Sequence, residues 1–352
     1  MRSPRCGACS TAPCPRPGRS APPTTKNRPS RARCRKCPAS TRRSATRFRP
    51  SEPPVSRTET RVPHHFALDE RDAYRAWRER KLAGYPTSVG ELVVEVADPT
   101  RLTPAERGAL LERCARANMA IYAAPPRAHG AQDVLRAIGA QLGLHTLDIN
   151  YLADDDGITP LAVAANGTRT QYIPYTNRPI RWHTDGYYNP PERAIRAMLL
   201  HCVQRAEQGG ENRLLDHELA YIALRDANPE YIRALMRPHA MTIPARSEEG
   251  EVERGDQAGP VFSIDVDGRL HMRYTARTRS ITWEDEPGVH AATQALANML
   301  ETDPRVLRVR MEPGMGLVCN NVLHDRAAFT DSDAHRRLIL RARYYERVAA
   351  PA

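Results

Sequence analysis

Two stretches far apart in the chain carry residue types that can do chemistry together: Trp182-His183-Thr184-Asp185 and Asn320-Asn321-Val322-Leu323-His324. Two histidines and one carboxylate are the smallest set that grips divalent iron on one face and leaves the opposite face open. In an extended segment, residues two apart project to the same side, so His183 and Asp185 can reach one ion. His324 would close the triangle. Arg336-Arg337-Leu338-Ile339-Leu340-Arg341 follows, and a planar guanidinium can hold an anionic co-substrate bidentately where lysine cannot. Each piece alone has an ordinary structural explanation. His-x-Asp is common at surface turns, a histidine ending an apolar strand is usually a satisfied core residue, and an arginine-rich strand is usually a solvated face. The joint occurrence, in order and in strand-like settings, is what points to a metal site.

The elements that must position these residues are legible in part. Tyr74, Trp77 and Lys81 recur at helical spacing within 66–82, which predicts an amphipathic surface helix. Residues 92–96 read as a strand stopped by Asp98-Pro99. Thr103, Pro104 and Glu106 form a helix start with a capping box, followed by a buried stripe of Leu110, Leu111, Cys114 and Ala117. A short apolar strand at 119–123 and a helix carrying Val134, Leu135, Ile138 and Leu142 complete a mixed opening. After residue 160 the chain becomes strand-rich. Strands are expected at 195–203, 212–215, 261–266, 270–275, 306–311, 316–324 and 337–345, with Asp216 capping one helix. Many short strands with long returns predict a mainly β, mixed α/β fold of the jelly-roll kind with helical insertions.

The net charge of +11 would suggest a nucleic-acid or anionic-membrane partner, but its distribution removes that inference. Residues 1–51 hold 14 Lys or Arg and no acid, which leaves 52 − 14 = 38 basic against 41 acidic side chains elsewhere, a net of −3. Residues 1–62 are rich in Arg, Pro and Ser and offer almost nothing to a core, so they are expected to be disordered, with 63–352 forming the catalytic domain. Cys6-x-x-Cys9 and Cys34-x-x-Cys37 mimic a zinc ribbon without strand patterning between them. The leader also lacks the amphipathic face of a transit peptide, and an over-extended reading-frame start or cloning remnant is the preferred explanation. Cys114, Cys202 and Cys319 are scattered through the body, which favours reduced thiols and a cytoplasmic setting. No run approaches the ~18 apolar residues of a membrane helix.

From about residue 90 to 347 the chain resembles the taurine dioxygenase family of Fe(II)- and 2-oxoglutarate-dependent oxygenases. The matching motifs are Trp-His-Thr-Asp at 182–185, Gly-Gly-Glu-Asn at 209–212, Val-Leu-His-Asp-Arg at 322–326 and Arg-Arg-Leu-Ile-Leu-Arg at 336–341. The resemblance implies a double-stranded β-helix with His183, Asp185 and His324 as iron ligands. It implies Asn212 and Arg337 as holders of 2-oxoglutarate, and Arg341 as a grip on an anionic substrate group. Strand alternation puts Arg337, Ile339 and Arg341 on one face and Arg336 on the other, which prefers Arg337 over its neighbour. Asn320-Asn321 departs from the family's aromatic-Asp-Asn sequence before the distal histidine. Trp182, Tyr187 and Tyr188 flank the ligands and could line the substrate pocket or pack. Arg273, Arg277 and Arg279 are read as a solvated face in preference to an anion site.

The expected activity is hydroxylation of a small anionic molecule with O2, releasing succinate and CO2. Desaturation or cyclisation with the same cofactors is the enzymatic alternative, and Asp185 speaks against halogenation because it keeps the position a halide would take. A non-catalytic metal-binding protein and a nucleic-acid-binding protein acting through the basic leader are the alternatives from other classes. The near-neutral body and the absence of interleaved aromatics disfavour the latter. Self-association is left open.

Overall fold

The computed structural model describes residues 64–127, 129–149, 157–248, 251–279 and 281–349. The basic leader, its zinc-ribbon cysteines and the domain boundary expected at residue 62 lie outside the described residues. The architecture is mixed α/β and mainly sheet. Ten strands in chain order form its two main sheets: β1 (Val93–Glu95), β2 (Met119–Ala123), β3 (Thr159–Leu161), β4 (Ile180–His183) and β5 (Ala197–Gln204) come first. They are followed by β6 (Asn212–Leu215), β7 (Leu307–Val309), β8 (Met315–Cys319), β9 (Leu323–Arg326) and β10 (Leu338–Tyr344). The six-stranded sheet runs β1-β2-β8-β5-β10-β3 and the four-stranded sheet runs β7-β6-β9-β4. Only the β1–β2 pair is parallel.

Among the described residues six α-helices accompany them: α1 (Arg71–Gly84), α2 (Pro104–Ala117), α3 (Ala131–Gln141), α4 (His217–Ala227), α5 (Pro229–Leu235) and α6 (Pro287–Thr302). The capping box of α2 forms as its sequence predicts. Glu106 N donates to Thr103 Oγ1 at 3.2 Å, and Thr103 N donates to the Glu106 carboxylate at 2.7 Å. Asp216 caps α4 by accepting from Glu218 N at 2.9 Å. Burial then ties this cap to α1, because Lys81 lies 2.5 Å from Asp216 and 2.6 Å from Glu218. The apolar run of β5 is covered on both sides, with α3 packed against β5 and β10.

Two expectations need correction. Helices α5 and α6 were not anticipated, although Val289, Ala292, Leu296 and Leu300 of α6 are buried at helical spacing against α4 and α5. The strand expected over 316–324 is two strands, β8 and β9, in different sheets. Asn321, at φ 52°, turns the chain between them in the left-handed region that Asn tolerates better than most side chains. That corner carries the chain from the large sheet to the small one and sets up the site. Among the described residues, no helix is long and apolar enough to cross a membrane.

Candidate metal centre

Strands β4 and β9 are antiparallel partners, and His183 stands directly opposite His324. Cross-strand neighbours share a face with Cβ atoms about 4.5–5.5 Å apart, and here the two imidazole centroids are 4.2 Å apart. Asp185 follows where β4 gives way to a turn at Gly186. That glycine has φ 68°, and a Cβ on it would meet Ile195 Cγ1 at 2.3 Å, so only glycine lets the chain turn here. Asp185 Oδ1 lies 3.6 Å from His183 Nε2 and 3.9 Å from His324 Nε2. Ligand atoms of all three residues lie within 4.8 Å of one another, a spacing that one divalent ion can bridge.

The second nitrogen of each ring is already committed. His183 Nδ1 is 2.9 Å from the Arg181 carbonyl, and His324 Nδ1 is 2.9 Å from the Val322 carbonyl. Both contacts require the proton on Nδ1, which fixes the tautomer and leaves each Nε2 lone pair facing Asp185. Asn321 frames the carboxylate from behind. Its Oδ1 accepts from Asp185 N at 2.7 Å, and its Nδ2 donates to Asp185 O at 2.9 Å and Ile195 O at 2.7 Å. The sequence showed Asn321 only as a departure from a motif. The usable signal was an Asn-Asn pair inside an apolar run, where a left-handed turn costs Asn little.

Burial would raise the Asp185 carboxyl, but the cations of Arg341 and Arg343 outweigh it and hold it well below the usual range. Burial, with His183 beside it, pushes His324 down to about 3, so its imidazole is neutral and available as a ligand. Arg341 Nη1 lies 3.1 Å from Asp185 Oδ2 and 3.4 Å from Oδ1. It therefore reaches the ligand carboxylate directly.

Arg337 has different surroundings. Its side chain is buried over the Phe329 ring at 5.1 Å, and its Nη1 has no hydrogen-bond partner. Burial lowers its pKa to about 10. It lines a small pocket with Gly209, Gly210, Asn212 and Ile339. Arg336 instead points to solvent and pairs with Asp333 at 2.9 Å. A register shift between Leu338 and Ile339 interrupts the simple alternation expected along this strand. Asn212 donates Nδ2 to the Asp325 carbonyl at 2.6 Å, which ties that pocket to the residue after His324.

The aromatic residues separate. Trp182 projects away from the histidines into the core, under the Arg213 guanidinium at 4.7 Å. Tyr187 stays with the ligands, its ring edge-on to His183 at 6.5 Å between centroids. Tyr188 accepts from Arg343 at 2.7 Å, and Arg343 pairs with buried Asp148 at 2.5 Å. The solvated-face expectation for Arg273 is corrected. It is half-buried and donates to the carbonyls of Tyr187 at 2.7 Å, Met241 at 2.9 Å and Gln257 at 2.5 Å, bracing the loop that carries Tyr187. Arg277 and Arg279 are exposed.

A pair of cross-strand histidines with one neighbouring carboxylate on a two-sheet scaffold has the donor set of the 2-His-1-carboxylate class of metal site. Residues 81–343 match the family described as taurine catabolism dioxygenase TauD, TfdA family. The chain belongs to that family. It is 33% identical over 175 residues to a uridine-5'-phosphate dioxygenase of Amycolatopsis sp, covering 47% of this chain and 60% of that relative. It is 31% identical over 223 residues to a uridine-5'-phosphate dioxygenase of Streptomyces sp, covering 61% of this chain and 79% of the relative. In fold it is similar to the non-heme iron oxygenase OrfP solved with Fe, succinate and (3R,4R)-dihydroxy-L-Arg, at TM-score 0.51 and 16% identity over 77% of this chain and 91% of that one. A putative alpha-ketoglutarate-dependent taurine dioxygenase from Burkholderia xenovorans aligns at TM-score 0.50 and 15% identity, covering 74% and 88%.

Proposed function

We propose that this protein is an Fe(II)- and 2-oxoglutarate-dependent dioxygenase that hydroxylates a small anionic substrate of the nucleoside 5'-phosphate class, releasing succinate and CO2. The observation that carries the reading is the donor set. His183 and His324 face each other across two strands with both Nδ1 atoms tied to carbonyls, and Asp185 stands ionised between their free Nε2 atoms. The names of the two uridine-5'-phosphate dioxygenase relatives support the substrate class. The paired six- and four-stranded sheets support a double-stranded β-helix. Three buried free cysteines support a reducing, cytoplasmic setting.

The residues present fit both groups. His183, Asp185 and His324 would hold the iron, and the buried, unpartnered Nη1 of Arg337 calls for a carboxylate such as the distal one of 2-oxoglutarate. Asn212 lines the same pocket. When bound, iron and 2-oxoglutarate supply the oxidising power drawn from O2. The protein's part is positional. Asn321 fixes the backbone of Asp185, the two carbonyls fix the imidazole rings, and the closed strand pair keeps His324 and Asp185 out of water. Tyr187, beside His183, stands where a substrate would approach.

The test is anaerobic titration of the protein with Fe(II) and 2-oxoglutarate. The expected result is the weak visible charge-transfer band of a chelated keto acid, absent in His183→Ala and His324→Ala. Aerobic incubation with uridine 5'-phosphate should then release succinate in step with hydroxylated product. Tight zinc binding without the band would overturn the oxygenase reading. A band with no substrate-stimulated succinate would overturn the substrate class alone.

A further inference from the structure

Strand β10 turns a second arginine to the side of the metal centre. Arg341 and Arg343 are two positions apart and stand opposite Leu200 and Met198 of β5, so both project from the strand face that meets Asp185. Arg343 is buried, and its fork is divided between two oxygens. Nη2 meets the Asp148 carboxylate, and Nη1 donates to the Tyr188 hydroxyl at 2.7 Å. Asp148 is itself buried and gathers further donors. It accepts from Arg193 at 2.9 Å and from the Tyr345 hydroxyl at 2.6 Å, and its backbone N–H donates to the Arg343 carbonyl at 2.8 Å. Two guanidiniums on one carboxylate leave this group with net positive charge.

The tyrosine at the end of these contacts borders the metal ligands. Tyr188 follows Asp185 by three residues and is half-buried. Its ring is edge-on to Tyr187 at 5.2 Å, and Tyr187 is edge-on to His183 at 6.5 Å. The Tyr175 phenol lies near enough to Arg341, Tyr188 and Arg343 to feel all three, so these groups converge on one side of the Asp185 carboxylate. A phenol can accept a hydrogen bond and still has one proton to donate. The Tyr188 oxygen accepts from Arg343, and among the described residues its proton has no acceptor. A cation behind the oxygen draws density from the O–H bond and makes it a stronger donor, most of all to an anionic oxygen.

We infer that Tyr188 is the hydrogen-bond donor to the phosphate of a nucleoside 5'-phosphate substrate, with Arg343 and Asp148 as positioning residues that hold its hydroxyl. The assignment rests on the substrate reading above and deepens it by naming a residue that separates a phosphorylated nucleoside from a bare one. Because a single ring stands between Tyr188 and His183, a phosphate on this hydroxyl leaves the nucleoside within reach of the metal centre.

The test is calorimetric titration of the full chain with uridine 5'-phosphate and with uridine, the protein being loaded with Mn(II) and 2-oxoglutarate under nitrogen so that nothing turns over. Tyr188→Phe keeps the ring and removes the hydroxyl. It should weaken uridine 5'-phosphate binding by about one to two orders of magnitude and leave uridine, Mn(II) and 2-oxoglutarate affinities as in the parent. Arg343→Lys keeps the charge but lacks the fork that reaches Asp148 and Tyr188 at once. It should weaken nucleotide binding in the parent and add little in the Tyr188→Phe background, since it acts through the phenol. Unchanged nucleotide affinity in Tyr188→Phe, or equal losses for uridine and its phosphate, would overturn the assignment. So would a parallel loss of Mn(II) affinity, which would make the hydroxyl part of the metal scaffold. Additive losses in the double variant would overturn the positioning role of Arg343. Failure of the unmodified protein to bind uridine 5'-phosphate, with its Fe(II)–2-oxoglutarate band intact, would end both the substrate reading and this assignment and leave the oxygenase in place.

Discussion

Along β10 and the residue just before it, Arg337 and Arg341 stand four positions apart in opposite electrostatic surroundings. Arg341 is matched from within, its guanidinium 3.1 Å from the Asp185 carboxylate. Arg343, two residues on, is matched as well, by Asp148 at 2.5 Å. Arg337 is buried as well, yet Nη1 has no acceptor, and a second cation, Arg326, lies over the same Phe329 ring. A buried cation without an anion is costly, and folding alone gives no reason to keep one. The paired arginines serve the protein's own carboxylates. The unpaired one has its partner still to come.

Breaking the contrast at the unpaired end should give the largest effect. Arg337→Ala removes a charge-assisted, bidentate-capable contact, so 2-oxoglutarate affinity should fall by about one to two orders of magnitude. Its effect on the resting protein should run the other way. Without 2-oxoglutarate the melting temperature of Arg337→Ala should equal or exceed that of the parent, because a buried unpaired charge is gone. With 2-oxoglutarate at about a hundredfold over its Kd, the parent should gain about 2.7 kcal/mol and the variant far less. A variant that melts lower without ligand and keeps its 2-oxoglutarate affinity would show that Arg337 is a structural residue.

Breaking it at the paired end should act through protons. Burial pushes the Asp185 carboxyl up, and Arg341 is the first influence that brings it down. Because the folded-state value lies below the ordinary one, the carboxylate is available to a metal at ordinary pH and is lost only when pH falls through that lowered value. Arg341→Ala removes the cation and raises that value, so protons should compete with the ion at higher pH. Mn(II) affinity, followed against pH without turnover, should fall off with a midpoint about 1–3 pH units higher than in the parent. His324, which burial pushes down to about 3, titrates close to this window, so the effect is read as the shift of the variant against the parent. An identical pH profile in the variant would mean that Arg341 does not set the state of Asp185.

How much of this was legible depended on whether the cause was local. The His183-x-Asp185 pair, the α2 capping box and the Asp216 cap follow from residue types at fixed spacings, His324 joined the pair through the family resemblance, and the structure brings each set together. The β8–β9 corner was not legible, because the left-handed turn at Asn321 is stabilised by Asp185 and Ile195, which are 136 and 126 residues away. The fate of Arg273 was hidden for the same reason, since a run of alternating arginines does not reveal that one of them will meet the carbonyls of Tyr187, Met241 and Gln257, brought together from three distant segments. Helix α6 was overlooked despite its periodicity, because no side-chain cap marks its start. The contrast between Arg337 and Arg341 lies between these cases. Position on a strand predicted two inward arginines, and only the fold tells which of them finds a carboxylate.

The smallest expected effect sharpens the contrast by one residue. Arg336 and Arg337 are neighbours of one type, and the sequence separated them only by alternation. In the structure Arg336 is 77% exposed and its ion pair with Asp333 is three residues away in sequence. An exposed pair of this kind gains little Coulomb energy and loses side-chain freedom, so its net worth is close to nothing. Arg336→Ala should shift the melting temperature by no more than about 2 °C and leave 2-oxoglutarate affinity unchanged, at low and high salt alike. Arg336→Ala and Arg337→Ala remove the same charge from adjacent positions, so long-range electrostatics should affect them almost equally. Any large difference in 2-oxoglutarate affinity then measures direct contact. Equal losses in the two variants would mean that the pocket attracts its ligand through the general positive field of this segment, and Arg337 would lose its assigned role.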